Sequence, residues 1–340
     1  MHSVSEQPGL MFDSVADANA IQRPCPICGG TTFKPLFALR DNRTGAFRQR
    51  FQTVRCLRCD LVGLRPLPRE VDLDVGYQLG YGPYPCPSGG AVRPKRSGAR
   101  KRLTDRLRLY WHFIDGNATV DRVKLDGRIL DVGANQGDNV EYLLGQGHDV
   151  VGLEPNPRAC AVAKSRGLPV VCGTLESASF EPNSFDTVIL SQVVEHLPDP
   201  VRALDRTYEL LRPHGRVVVF TPNVYSVWQT CFGKEWAHWH VPYHVYLYGA
   251  AQLRALLTGS GFKITRLTTV TPTYWLTMSQ RLWRHNSQST GWTLPAGAPS
   301  HTKLRLDLIG RLLAAPLLRV VDLMRLGDCL IAIGTKDLDV

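Results

Sequence analysis

Four cysteines stand in two tight pairs, Cys25-Pro26-Ile27-Cys28 and Cys56-Leu57-Arg58-Cys59. Each CxxC turn can point two thiolates to one side, and two such turns joined through a hairpin supply the tetrahedral four-sulfur shell that zinc accepts. Gly29-Gly30 and Asp60 follow the pairs, where the knuckle backbone must turn sharply. Four thiolates leave no open coordination position, so a zinc ion on Cys25, Cys28, Cys56 and Cys59 is expected to be structural. A redox pair or plain small core residues are the other uses of such cysteines.

A second chemical pattern is RILDVGANQG, Arg128 to Gly137: an apolar strand ending near Asp131, a turn bearing Gly133, and a helix opening near Gly137. Gly133 lets the chain turn and a ligand approach backbone, and the amides that open the next helix favour an anionic group. A nucleotide-binding oxidoreductase or a purely structural glycine turn would begin in the same way. The next strand, DVVGL, runs into Glu154, where a carboxylate can accept hydrogen bonds from a ribose diol.

Proton-handling groups cluster further on. Glu195-His196 follows the apolar strand TVILS, and an imidazole titrates near neutral pH. The stretch FGKEWAHWHVPYHVYLY, 232–248, crowds Trp236, His238, Trp239, His240, Tyr243, His244 and Tyr246 together. Such density suits an aromatic lid over an acceptor ring, or equally a packed core under a loop. The spacing of His240 and His244 invites a metal pair, but no HExxH pattern is present and Pro242 interrupts a helix there.

The elements that must position these residues alternate: RILDV, helix at 139–144, DVVGL, helix at 159–165, LPVVC, TVILS, helix at 201–211, RVVVF. Strands alternating with helices predict an α/β fold, a parallel sheet with helices on both faces. A helix at 252–257, the strand FKITRLTTV and a last strand CLIAIGT complete it. Before the sheet, 21–75 reads as a small β module of short strands (31–39, 48–54, 61–64), 1–20 as a flexible tail and 76–100 as a linker rich in Gly, Pro, Tyr and Ser. Leu103, Leu107, Trp111 and Ile114 lie on one face of a leading helix, and the main domain spans 101–340. A helical insertion at about 275–327 carries Leu304, Leu308, Leu312, Val320 and Met324 among Arg305, Arg311, Arg319 and Arg325, and Pro316 is expected to break it into two helices.

This series resembles the class I S-adenosylmethionine-dependent methyltransferases from about Arg128 to Val270, with the final strand added. The resemblance implies a Rossmann-like seven-stranded sheet with helices on both faces, beside a small N-terminal zinc-binding β module. It assigns the methionine end of the cofactor to Asp131, Gly133, Ala134, Asn135 and Gly137, the ribose to Glu154, the adenine to Thr174 and Leu175, and the residues after strand four to Ser191 and Gln192. Asn135 stands where the family usually has glycine, and Thr174 where it often has an acid. His196, His244 and Glu195 become the candidate catalytic residues, His196 first.

The CxxC module, the linker and this core together resemble bacterial zinc-ribbon methyltransferases of cell-surface glycan and secondary-metabolite pathways. They imply methyl transfer to an oxygen, less readily a carbon or nitrogen, of a sugar, glycolipid or other small-molecule acceptor. The alternatives are an RNA base methyltransferase and a non-catalytic binding module that keeps the fold. Eight Lys or Arg between Arg93 and Arg108 favour RNA, but SQVV stands where an (N/D)PPY motif would be.

Composition narrows the classes. With 340 residues, 44% of them hydrophobic, the chain is not disordered as a whole, and nine unevenly spaced cysteines argue against a disulfide scaffold. The net charge of +10 favours an anionic contact without choosing nucleic acid, phosphorylated sugar or membrane surface. No apolar run reaches the roughly 18 residues of a bilayer span, and Met1 to Ala20 has no basic start. The expectation is a cytoplasmic protein, with peripheral membrane contact through the insertion as a hypothesis and the oligomeric state open.

Overall fold

Short apolar runs, buried on both faces in the central strands, build the larger sheet. In the computed structural model, which describes residues 23–41, 47, 49–69, 73, 114–116, 118–286 and 304–337, seven strands form it: β4 (Arg128–Val132), β5 (Asp149–Glu154), β6 (Val170–Cys172), β7 (Phe185–Ser191), β8 (Leu211–Pro222), β10 (Phe262–Val270) and β11 (Cys329–Lys336). Their order is β10-β11-β8-β7-β4-β5-β6. β4, β5, β6, β7 and β8 pair in parallel, while β11 runs antiparallel to both β8 and β10.

Period-two patterning divides the side chains between two cores. Ile129, Ile189, Val218, Phe220 and Ile331 face α1 (Asp138–Gln146) and α2 (Pro157–Ser165), which contribute Val140, Leu143, Cys160 and Ala163. Leu130, Leu190, Val217, Val219 and Leu330 face α3 (Pro200–Leu210) and α5 (Ala250–Gly259), which contribute Leu204, Leu210, Leu253 and Leu257. Local signals start two of these helices: Asn156 accepts from Arg158 N and Ala159 N, Asp199 accepts from Arg202 N, and a proline holds the first helical position of each.

The cysteine segment forms its own small sheet, but not from its own residues alone. β1 (Phe33–Arg40), β2 (Arg50–Cys56) and β3 (Val62–Leu64) are antiparallel neighbours, and β9 (Tyr246–Leu247) adds the fourth strand beside β3. Cys25, Cys56, Leu61 and Leu64 belong to the same core as Leu130, Val188 and Leu190 of the main sheet. The short fourth strand and the shared core fasten the module to the sheet.

Between β8 and β9 lie α4 (Val227–Phe232) and two short 3-10 turns; α6 (Thr273–Asn286) and α7 (Leu304–Leu323) follow β10. Pro316 does not divide the insertion: α7 continues through it. The ring removes one backbone donor but lies exposed, while Ala315 and Leu318 beside it are buried and hold the helix on both sides. Arg319 turns inward to Asp322 and to the carbonyl of Thr271, whereas Leu313, Leu317, Val320 and Leu323 stand exposed. No helix among the described residues is long and apolar enough to cross a membrane. The predicted tail, linker and most of the leading helix fall outside the described residues.

Candidate active site

The chain reverses direction across the sheet between β4 and β7, because β4 is followed by β5 and β6 on one side and by β7 on the other. At such a switch point the loops diverge from the strand ends and leave a crevice. Val132, Glu154 and Ser191 end the three strands that border it.

The glycine turn forms one wall. Gly133 has φ +72°, and a Cβ there would stand 2.6 Å from a methyl of Val193, so both conformation and space demand glycine. Gly133 N and Ala134 N both donate to Leu153 O, at 2.8 and 3.0 Å, which ties the turn to β5. Asn135 has φ +51°, and asparagine is among the few non-glycine residues that tolerate this left-handed backbone. That accounts for its replacing a glycine. Gly137 (φ +86°) caps the start of α1, whose first-turn acids Asp138 and Glu141 pair with Arg166.

Glu154 is buried at the end of β5, and its carboxylate is fixed by two backbone amides, Asn135 N on Oε2 and Asn156 N on Oε1, each at 2.8 Å. Each oxygen keeps a second lone pair, so the carboxylate can still accept from a diol. Burial raises its pKa, and the two amide bonds oppose the rise. Asp131, wholly buried, accepts from Asn139 Nδ2 at 2.9 Å. Burial pushes its pKa up to about 7, the Asn139 bond works against this, and the charge of Glu154 adds to it. Thr174 is exposed in the turn after β6 and interlocked with Ser177, while the Leu175 side chain is buried in the core. Ser191 and Gln192 are half-buried at the end of β7, and Gln192 adopts φ +57°.

The three candidate catalytic residues come together although 48 positions separate His196 from His244. Glu195 and His196 lie on a 3-10 turn (Val194–His196) directly after β7, and His244 on a turn leading into β9. One ligand atom from each of Glu195, His196 and His244 lies within 4.8 Å of the others. The rings of His196 and His244 stand 4.6 Å apart at 86°. The backbone sets this approach, since Val245 N donates to Glu195 O at 2.8 Å. Glu195 is fully buried and His196 half-exposed. Burial lifts the Glu195 pKa to about 8, although Thr221 Oγ1 donates to its Oε2 at 2.9 Å.

The aromatic cluster is core and not an open lid: Trp236, Trp239 and Tyr243 are almost fully buried. Trp239 meets Phe37 of β1 edge-on at 5.6 Å, and Tyr243 meets Phe47 at 6.2 Å, so the cluster cements the cysteine module to the sheet. Thr221, in the TPN sequence (Thr221, Pro222, Asn223) that favours a small-molecule acceptor, gives no sign in the sequence of its partner Glu195. Sequence reading missed Asp328, buried between Ser226 Oγ and Trp236 Nε1, both at 2.8 Å. An acid directly before the apolar run CLIAIG was the available signal.

The four thiols converge at the other end of the small sheet. Cys25 Sγ lies 3.4 Å from Cys59 Sγ and Cys28 Sγ 3.6 Å from Cys56 Sγ. A tetrahedral shell with bonds of about 2.3 Å has edges of roughly 3.8 Å, so this donor set fits a metal ion. The two knuckles match: Gly29 N donates to Cys25 O and Asp60 N to Cys56 O, with Gly29 (φ +68°) and Asp60 (φ +61°) both left-handed.

A mixed sheet in this order, with a glycine turn, a strand-end acid and a crevice at the switch point, defines the class I S-adenosylmethionine-dependent methyltransferase fold. A family model described as a methyltransferase domain matches residues 100–267, just under half of the chain. The ubiquinone biosynthesis O-methyltransferase of Xylella fastidiosa (strain M23) is 34% identical over 110 residues, 30% of this chain and 45% of the relative. That of Azorhizobium caulinodans is 32% identical over 152 residues, 41% of this chain and 60% of the relative. The chain thus spans about half the length of the curated relatives it matches. The crystal structure of an S-adenosylmethionine-dependent methyltransferase from Archaeoglobus fulgidus aligns at 18% identity with a TM-score of 0.40, covering 70% of this chain and 95% of that one.

Proposed function

We propose that the protein transfers a methyl group from S-adenosylmethionine to an oxygen of a sugar, glycolipid or similar small molecule. The observation that carries the reading is that the glycine turn, tied to Glu154, stands against Val193 directly before the turn that carries Glu195 and His196, where His244 joins them. The residues present fit the cofactor: Glu154 offers an oriented carboxylate for a ribose diol, and Gly133, Ala134, Asn135 and Gly137 offer close backbone with Asp131 behind it. Thr174 and Leu175 border the adenine end through backbone and hydroxyl, and Ser191 and Gln192 border the methionine end. When bound, the cofactor supplies an electrophilic methyl group on sulfur.

In-line transfer then asks the protein chiefly to align the acceptor and relieve it of a proton. His196, the half-exposed member of the group, is the residue nearest the acceptor in this reading, with Glu195 and His244 buried behind it. Oxygen as the methylated atom is supported by the relatives named for O-methyl transfer in ubiquinone biosynthesis. The cysteine cluster is read as a structural zinc site.

The exposed apolar stripe of α7 supports peripheral contact with an anionic membrane. Absence of pelleting with anionic liposomes at physiological salt would end that part of the reading. The activity is tested by transfer of labelled methyl into an extract of the source cells, followed by ribonuclease digestion and solvent fractionation. Ribonuclease-resistant label in a lipid or small polar fraction is the expected result; label lost on digestion would overturn the acceptor class.

A further inference from the structure

Glu195, His196 and His244 have a property that acid-base catalysis does not require. Their donor atoms all converge, each within 4.8 Å of the other two, and the donors are one carboxylate and two imidazoles. We propose that they form a second metal site, distinct from the four cysteines, for a divalent first-row transition-metal ion. This deepens the acceptor side of the methyltransferase reading, but binding of the ion stands apart from it.

Three observations support the site. The Glu195 carboxylate is fully buried, and while Oε2 accepts from Thr221, Oε1 has no hydrogen-bond partner among the described residues. A buried carboxylate oxygen left in this way is costly unless a cation or donor faces it. His244 Nδ1 lies 2.7 Å from the carbonyl oxygen of His238. A carbonyl only accepts, so Nδ1 carries the ring proton and Nε2 presents its lone pair, the tautomer that ligating histidines are held in. Finally, the scaffold is rigid where the ligands sit: the Val245 N to Glu195 O bond joins the two turns, and Tyr248 Oη donates to Val194 O at 3.4 Å.

Mixed nitrogen and oxygen donors select zinc, manganese, iron(II) or cobalt over calcium or magnesium, and three protein ligands leave positions open to a substrate oxygen. His196 is half-exposed, so the cluster can be reached from solvent on its side. An ion there would act as a Lewis acid on the acceptor hydroxyl. The O–H proton passes to water, the new O–CH3 bond forms as the S–CH3 bond breaks, and the bonding pair stays on sulfur. HExxH-type spacing could not reveal such a site, because its ligands come from two distant turns.

The test uses the full chain, purified without added metal and then dialysed against cobalt(II), with metal content and absorption measured together. About two equivalents per chain are expected, one with the intense sulfur-to-cobalt bands of a thiolate site and one with only the weak bands of nitrogen and oxygen ligation. Glu195→Gln and His196→Ala should each lose the second set and keep the first. His196→Ala guards against misfolding, because its side chain is half-exposed. The proposal is overturned if the wild type never exceeds the thiolate-bound equivalent, or if His196→Ala and Glu195→Gln both keep the weak bands. S-adenosylmethionine affinity, measured on the same samples, separates the two readings: a second equivalent without cofactor binding would sink the methyltransferase reading and leave the metal site standing.

Discussion

Thr221, at the end of β8, donates its hydroxyl to the buried carboxylate of Glu195 on the neighbouring turn at 2.9 Å. Both side chains have no exposed surface. Thr221→Val keeps the shape and removes the only hydrogen bond that the Glu195 side chain accepts from another side chain among the described residues. The variant should lose about 1–3 kcal/mol of stability in urea titration and bind cobalt at the weak-band site less tightly. An unchanged denaturation midpoint would show that the bond contributes nothing.

His196→Ala is expected to lower turnover by about 10²–10⁴-fold if, as proposed, the imidazole either takes the acceptor's proton or holds the ion that acidifies the acceptor hydroxyl. Cofactor affinity, measured by calorimetry, should stay within about twofold, because His196 itself is not among the residues assigned to the cofactor above. Turnover within a factor of two of wild type would remove His196 from the chemistry.

Glu154→Gln tests the ribose contact from the other side. The amide cannot accept on both ends, so one backbone amide of Asn135 or Asn156 loses its partner along with a ribose hydroxyl. Affinity for S-adenosylmethionine should fall by at least about tenfold, roughly 1.4 kcal/mol. An affinity equal to wild type would mean that the ribose binds elsewhere.

What the sequence made legible was local. RILDV, DVVGL and TVILS alternate with helical segments at short range, so the succession of strands and helices and the glycine turn followed from pattern, and Glu154 from its place at a strand end. Cys25, Cys28, Cys56 and Cys59 were legible because each pair is a self-contained turn. Contacts between distant segments were not. Nothing in HVPYHV announces that His244 meets His196, or that Tyr246–Leu247 adds a strand to the cysteine module. The aromatic residues of 236–246 satisfied two patterns equally, and burial decided for core. Pro316 misled because its local penalty is outweighed by the packing of Ala315 and Leu318.

Asp328 gives the protein a stability that depends on pH. Burial pushes its pKa up to about 7, against the bonds from Ser226 and Trp236 and with a further push from Asp322. Between the unfolded value of 3.8 and about 7 the folded chain therefore holds a proton that the unfolded chain has released. Stability from this group is fully present below pH 3.8 and is lost as pH rises through 7, by an amount on the order of 4 kcal/mol. Asp328→Asn keeps an acceptor for Ser226 and Trp236 and should flatten that part of the profile in denaturation between pH 5 and 8. A profile parallel to wild type would assign the dependence to other groups.

The cysteine module and the candidate active site are joined by hydrogen bonds, and removing the zinc ion proposed for the four cysteines should be felt at His244. Leu64 N donates to Val245 O at 3.0 Å, β3 pairs with β9, Tyr225 Oη donates to Asp60 O at 2.6 Å, and Gln252 Nε2 donates to Cys59 O at 2.6 Å. The first two contacts join β3, directly after the knuckle of Cys56 and Cys59, to the residues directly after His244, and the other two tie the knuckle itself to Tyr225 and Gln252. A four-thiolate zinc site organises its own backbone, so chelation loosens the knuckle and, through β3, the strand that fixes His244. Hydrogen exchange after treatment with a zinc chelator should speed up at the amides of 245–247 while those of β4 and β7 stay protected. Exchange confined to 25–64 would show that the module folds beside the site without bracing it, and would leave recognition of the acceptor as the role to test next.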